Sequence, residues 1–210
     1  MTIQTTSTVN PTITQGRKFD QVRDGATVIF LRDGFAGASV DDIARSARVS
    51  KATLYSYFPD KTVMFQEVLR AVLDSAFREP AFETDPAGRV TTALPLVLAS
   101  LGAWLTAQPR LSLLRLVSAE SQRFPDAAQA HDRATATRVT APLSRLIDAW
   151  IETGQLAPHD SGESARQMVA LMIGRIQLPA MLSGKPPAPA ALTDQAERMA
   201  RLFLAAHRPA

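Results

Sequence analysis

The chain has 210 residues, 46% of them hydrophobic and 20% charged, enough apolar material for one large core or for a small and a larger one. A formal charge of +3 permits a nucleic-acid partner without requiring one. With no cysteine in the chain, disulfides, thiolate metal sites and cysteine nucleophiles are excluded.

Residues 1–16, MTIQTTSTVNPTITQG, are polar and threonine-rich and lack the basic start and apolar centre of a signal peptide, so a disordered N-terminal arm is expected there. From Arg17 the pattern turns helical: Phe19, Val22, Ala26, Ile29 and Phe30 recur three and four apart, with Arg23, Asp24 and Arg32 between them. Asp33-Gly34 predicts the stop, because glycine takes a left-handed cap at little cost. Ser39 then caps a short second helix whose apolar side is Val40, Ile43, Ala44 and Ala47, and Asp42 suits its positive end. Ser50 caps a third, from Lys51 to Phe58 before Pro59. Asp60 caps a fourth, from Lys61 to about Phe77, with Val63, Met64, Val68, Leu69 and Val72 facing inward.

Glu79-Pro80 through Pro86-Ala87-Gly88 is a loop signal. The chain beyond it has helical periodicity throughout: 89–107, 109–121, about 126–153 with a bend at Pro142 and a stop at Gly154, 164–182, and 193–206 after the Ser183–Pro189 loop. The longest apolar runs are broken by proline or glycine and fall short of a bilayer's thickness. The expectation is an all-α protein of about nine helices, soluble and cytoplasmic. It has a three-helix helix-turn-helix domain at 17–62 and a larger helical bundle at 63–210.

Three short helices with a tight turn, Ala47-Arg48-Val49-Ser50, between the second and third describe a helix-turn-helix unit. Leu54 and Phe58 are four apart and face inward, which leaves Lys51, Ala52, Thr53, Tyr55, Ser56 and Tyr57 outside. Such a surface can reach phosphates and base edges. Either tyrosine alone reads more simply as a packing residue with a wetted hydroxyl, and it is their combination with the capped helix, the turn and the lysine that points to a recognition helix. Residues 17–70 hold nine Lys/Arg and seven Asp/Glu, a net of about +2, so DNA affinity would depend on where the charges sit and on having two copies.

The stretch SVDDIARSARVSKATLYSYFPDKTVMF resembles the DNA-binding domain of the TetR family of bacterial transcriptional repressors. The resemblance rests on Ile43-Ala44, Val49-Ser50, Leu54-Tyr55, Tyr57-Phe58 and Lys61, and it covers about residues 17–65. Arg48 stands where the family often has glycine, Ser39-Val40 replaces a usual threonine start, and Thr62 replaces a common glutamate. The resemblance implies base-edge contacts from Lys51, Ala52 and Thr53, phosphate contacts from Tyr55, Tyr57 and Lys61, and backbone contacts from Ser39 and Ser50. Arg17 and Lys18 are readable as reaching an adjacent groove or as solvated charges.

Single units of this kind usually read DNA as two-fold dimers on pseudo-palindromic operators. Two stripes on the last helices are the predicted dimer interface: Met168, Leu171, Met172 and Ile176, with Gly174 allowing close approach, and Met199, Leu202, Phe203 and Ala206. The alternative is that both stripes bury within their own domain. The resemblance also implies a ligand cavity in the C-terminal part, where Trp104, Leu105, Leu113, Leu116, Glu120, Phe124, Leu146, Trp150 and Leu178 are candidates for its walls. Its occupant would be a small-molecule effector of unknown identity that alters the spacing of the DNA-binding heads. The stretch LLRLVSAESQRFPD resembles the AefR-like class of C-terminal domains. Arg115, Glu120, Gln122 and Arg175 lie on largely apolar helices and need partners wherever they are buried.

His131, His159 and His207 do not share a metal-ligand spacing on one helix face, and no nucleophile–base pair or phosphate-cradling glycine loop is present. No enzyme activity, metal or cofactor is therefore expected. The reading is a homodimeric, ligand-responsive repressor on double-stranded DNA. Its rival is a helical protein-interaction or small-molecule-binding module that does not touch DNA.

Overall fold

The computed structural model describes residues 16–83 and 88–209 of the chain. Among them every regular element is helical, and eleven α-helices form nine continuous rods because two pairs are joined through π turns. The chain divides into two compact units at Val68–Leu69. The arm expected over residues 1–16 lies outside the described residues apart from Gly16. No single helix among the described residues is long and apolar enough to cross a membrane.

The first unit holds α1 (Arg17–Gly37), α2 (Val40–Ala47), α3 (Lys51–Tyr57) and the first half of α4 (Lys61–Ala76). Helical geometry in α1 breaks at Gly34, whose φ of 68° only glycine adopts without strain, at the predicted Asp33-Gly34 stop. The side chain of Ser39 accepts the Asp42 amide at 3.0 Å, Ser50 accepts that of Thr53 at 3.0 Å, and Asp60 that of Val63 at 2.8 Å. All three predicted caps are thus formed, each satisfying an amide the helix leaves free.

Between α2 and α3 the chain closes through a paired bond: the Arg48 amide donates to Arg45 O at 3.1 Å and the Val49 amide to Ala44 O at 3.0 Å. This is a Schellman turn, whose central residue must be left-handed. Arg48 takes φ 53°, the one positive value outside glycine among the described residues. A side chain there costs roughly 1 kcal/mol, which accounts for glycine being the common choice at this position.

Gly25 decides how close α1 and α2 come. A Cβ on it would stand 2.6 Å from the N, Cα and Cβ of Ala47, so the helices meet backbone to backbone. Gln21 bridges the same contact, donating from Nε2 to Ala47 O at 2.6 Å. Under α3, Leu54 and Phe58 are fully buried, and Phe58 packs on Phe19 with ring centres 5.1 Å apart. Phe30 meets Phe65 edge to face at 4.9 Å and ties α1 to α4.

The second unit is built around α5 (Val90–Thr106), which buries Leu94, Leu98, Leu101 and Leu105. Around it lie α6 (Gln108–Glu120), α7 (Pro125–Thr135), α8 (Ala141–Glu152), α9 (Ser161–Met172), α10 (Leu178–Ser183) and α11 (Pro189–Ala206). Gly102 lets α9 and α11 approach α5: its missing Cβ would be 3.0 Å from Met172 Cε and 3.2 Å from Leu192 Cδ2. Two boundaries differ from expectation. Asp160 caps α9 by accepting the Glu163 amide at 2.9 Å, so that helix starts at Ser161 rather than 164. Pro189 opens α11 four residues early, since proline is well suited to a first turn.

The expected bend near Pro142 takes the form of a π turn, Ala136–Thr140, just ahead of that proline. A second π turn, Ile173–Gln177, precedes Pro179 in the same way, and joins α9 to α10. A proline inside a helix cannot donate to the carbonyl four residues back, and its ring presses on that carbonyl. Widening the preceding turn moves the carbonyl aside. The Ala141 and Leu178 amides bond five residues back, to Ala136 and Ile173.

Gly25→Ala is expected to overpack the α1–α2 contact and destabilise the first unit by about 1–3 kcal/mol. Gly102→Ala should cost less, because the Met172 and Leu192 methyls can give way. Urea denaturation of the two variants, followed by circular dichroism, measures the difference.

Candidate nucleic-acid interface and interior cavity

The outer surface of the first unit centres on α3. Lys51, Ala52 and Ser50 are exposed, Thr53 and Ser39 are half-buried, and Tyr55 is 47% exposed. Ser50 and Thr53 share a hydroxyl contact at 2.8 Å, so the capping bond also orients the side chain of Thr53. Tyr57 is half-buried, its ring edge-on to Phe19 at 6.3 Å, and Lys61 holds its ammonium 4.8 Å over the ring of Phe35. These two therefore combine a packing role with a polar tip at the rim of the surface.

Lys51 is not a free cation. Its ammonium pairs with Asp41 of α2 at 2.7 Å, and this charged hydrogen bond raises its pKa above the usual lysine value. Asp42 is held below the usual carboxylate range by hydrogen bonds from Ser39 and then Arg45. Both acids of the first turn of α2 are thus already engaged, one by a lysine of α3 and one inside its own helix.

The predicted residues of the second unit separate into three groups. Trp104 and Leu105 line an interior cavity of about 20 Å3, together with Phe77, Arg110, Leu113, His131, Thr135, Ile173 and Gln177. Trp150 does not belong to it: its ring is fully buried in the main core and its Nε1 donates to Gly88 O at 3.2 Å. Leu178 is exposed, while Leu116, Phe124 and Glu120 lie away from the cavity walls, the first two buried. These five, and Leu146 in the main core, do not line this cavity.

Arg110, His131 and Gln177 do not stand out as cavity residues in the sequence, where each is alone among apolar or polar neighbours. Gln177 is buried and donates to Leu105 O at 3.1 Å, closing the end of α5. Burial lowers the pKa of His131, against a weaker pull from Asp132. Arg110 lies over Trp104 with its central carbon 3.9 Å from the ring centre. Arg115, which does stand out in the sequence, donates from Nε to Met181 O at 3.1 Å and pins α6 to α10. Gln122 and Arg175 are exposed.

The predicted dimer stripe also needs correction. Met168, Met172, Ile176 and Met199 are buried in the core of their own chain, packed with α5. Of these, Met172 and Ile176 close onto α5 at Gly102, where a side chain would stand in their way. Phe203 is half-buried beside His159 and His207, whose rings stack at 3.8 Å. Of the eight residues in the two stripes Leu171, Leu202 and Ala206 are exposed, Leu202 at 73%, and Leu178 and Leu182 are exposed with them on the last helices. Among the described residues no three metal-binding side chains gather.

Residues 22–68 match the family model for bacterial regulatory proteins of the tetR family, and residues 92–209 match that for the C-terminal domain of AefR-like transcriptional repressors. The chain is similar to the HTH-type transcriptional repressor SCO4008 of Streptomyces coelicolor, 32% identical over 59% of this chain and 57% of that protein. It is also similar to the biofilm operon negative regulator IcaR of Staphylococcus aureus, 33% identical over 26% of this chain and 30% of that protein. Each match thus spans less than two thirds of the relative. Among solved structures, the flavonoid-responsive regulator FrrA superimposes with a TM-score of 0.72 at 28% identity, over 93% of this chain and 99% of that one. The family consists of transcriptional regulators rather than enzymes, and this chain belongs to it: a TetR-family repressor with a helix-turn-helix DNA-binding domain and an AefR-like C-terminal domain.

Proposed function

We propose that the protein is a ligand-responsive, sequence-specific repressor, a cytoplasmic homodimer acting on a pseudo-palindromic operator. The observation that carries the DNA reading is the disposition of α3, which buries Leu54 and presents Lys51, Ala52, Thr53 and Tyr55 outward. A helix fixed on one side by a Schellman turn and on the other by Phe58 holds those groups at a set angle, as major-groove readout requires. Base-edge contacts fall to Lys51, Ala52 and Thr53. Phosphate contacts fall to Tyr55, Tyr57 and Lys61, with Ser39 and Ser50 on the flanks.

A second copy is the proposed occupant of the exposed leucines on α9–α11. The seven residues of α3 give a small footprint, and two copies double both contacts and charge. The face consists of Leu171, Leu178, Leu182 and Leu202, with Gly174 leaving open space beside it, in place of the buried methionines.

The effector reading is supported by the cavity walls and by the relative named as flavonoid-responsive. Phe77 comes directly after α4, and its ring meets Trp104 at 5.3 Å and His131 at 5.5 Å. An effector that displaces Phe77 acts on the end of the helix that leads from the DNA-binding unit. It releases DNA only if it binds the displaced arrangement better than the other.

Selection of bound duplexes from a random pool, with the winners titrated against salt, is the first test. A pseudo-palindromic winner whose affinity falls steeply with salt is expected, and no enrichment would favour a module that does not bind DNA. Asp41→Asn should free Lys51 and tighten duplex binding by a factor of about 2 to 5, the range of one exposed ion pair. Fluorescence anisotropy measures it. Leu202→Glu and Leu178→Glu should leave a folded monomer in size exclusion with light scattering, and a dimer in both would place the interface elsewhere.

A further inference from the structure

The interior cavity carries a chemical preference that its location alone does not convey. Arg110 is the one cation in its walls, and its Nε is buried with no hydrogen-bond partner among the described residues. No carboxylate pairs with it there, and Glu79 acts on it only through space. A buried, unpaired guanidinium N–H is costly in a stable core. The guanidinium carbon sits 3.9 Å from the centre of the Trp104 ring, and the N–H donors of a planar guanidinium all lie at its edge, where the ring faces offer no acceptor in line. That edge matches a carboxylate, which takes two parallel N–H bonds from a guanidinium fork.

The remaining walls select the body of the ligand. Phe77 stands edge to face against Trp104 at 67° and against His131 at 82°, three rings meeting at one place. Leu105, Leu113 and Ile173 supply the apolar surroundings. A cavity of about 20 Å3 has room for little more than one water, so a ring enters only by displacing a side chain. Phe77 is the side chain whose place a ligand ring would take, because a planar ring there keeps the same edge contacts. Room to adjust exists on two sides. Thr135 immediately precedes one π turn, and Ile173 and Gln177 are the two ends of the other. Both widened turns therefore border this cavity, and such turns recur beside functional sites.

We propose that the cavity binds a small planar aromatic acid, with its carboxylate on the edge of Arg110 and its ring in the place of Phe77. The preference rests on the effector reading above only for its consequence at the operator. Burial, which keeps His131 neutral, also disfavours the charged form of Arg110, and an anion removes that penalty.

The test uses the full chain, with benzoate and cinnamate as probes and benzamide and cinnamamide as their neutral counterparts. Binding is read by titration calorimetry and by quenching of tryptophan fluorescence, with Trp150→Phe leaving Trp104 as the single emitter. The acids should bind at least about tenfold tighter than the amides, and Arg110→Met should lose at least about tenfold for the acids alone, the scale of a charge-assisted pair. Arg145→Met, at an exposed position, should bind as the parent does. If Arg110→Met does not fold by circular dichroism, Arg110→Lys carries the test. It keeps the charge but not the fork, and a several-fold loss is expected. Equal binding of acid and amide, unchanged affinity in the folded variant, or no binding of either acid overturns the proposal. Release of a bound duplex is measured separately. An acid that binds without releasing DNA leaves this site standing and removes the effector role. Release by a neutral compound while neither acid binds keeps the effector role and removes this site.

Discussion

Gly25 and Ala47 touch without a side chain between them, and the placement of everything on the DNA side depends on how near that brings α1 and α2. Two helices at that distance leave no slack for α2 to slide. The Gln21 side chain bonded to Ala47 O fixes the end of α2 as well. The Schellman turn that begins at this end then has one direction in which to launch α3. Leu54 and Phe58 complete the arrangement from below, each worth roughly 1.5–3 kcal/mol of burial. The outward groups of α3 are polar and contribute little to folding, so their orientation is set by the contacts beneath them.

The second unit solves a different problem. Its core is continuous and apolar around α5, yet Gln177, His131 and Arg110 are brought to one side of it. Gln177 is satisfied by Leu105 O, and His131 remains uncharged, but Arg110 gains only the face of Trp104. Local stability is given up where the cavity lies, and the two π turns border the same place. Elsewhere Trp150 is closed over and hydrogen-bonded, although His159 Nε2 is also buried without a partner. The gathering of Arg110, His131 and Gln177 at one place is what singles out the cavity, since its volume alone would not.

Much of the fold is legible in the sequence because the signals are local. Ser39, Ser50 and Asp60 announce helix starts, Gly34 a stop, and the spacing of Leu54 and Phe58 the buried side of α3. The urea comparison at Gly25 probes what is not local: nothing in the stretch around Gly25 indicates that Ala47, 22 positions on, lies against it. The dimer stripe fails for a related reason. Periodicity identifies an apolar face but not what covers it, and in Met168, Met172, Ile176 and Met199 the cover is α5 of the same chain. Pro142 signals a distortion, and Pro179 carries the same message inside the expected 164–182 helix, where apolar periodicity masks it. The cavity residues are hidden because Arg110, His131 and Gln177 come from three separate helical rods.

The π turns also bear on how this chain can change in length. A π turn holds one residue more than the α-helical turn it replaces, and each residue rotates the helix by about 100°. Loss of a single residue between Ala136 and Thr140 would leave an unbroken helix, with no loop shortened and no obvious gap. By returning the turn to α-helical geometry it would keep Leu143, Leu146, Ile147 and Trp150 facing the core, all of them buried in the present register. Within these two rods the π turns are therefore the places where loss of one residue keeps the register, whereas a loss elsewhere in them rotates every later residue by about 100°.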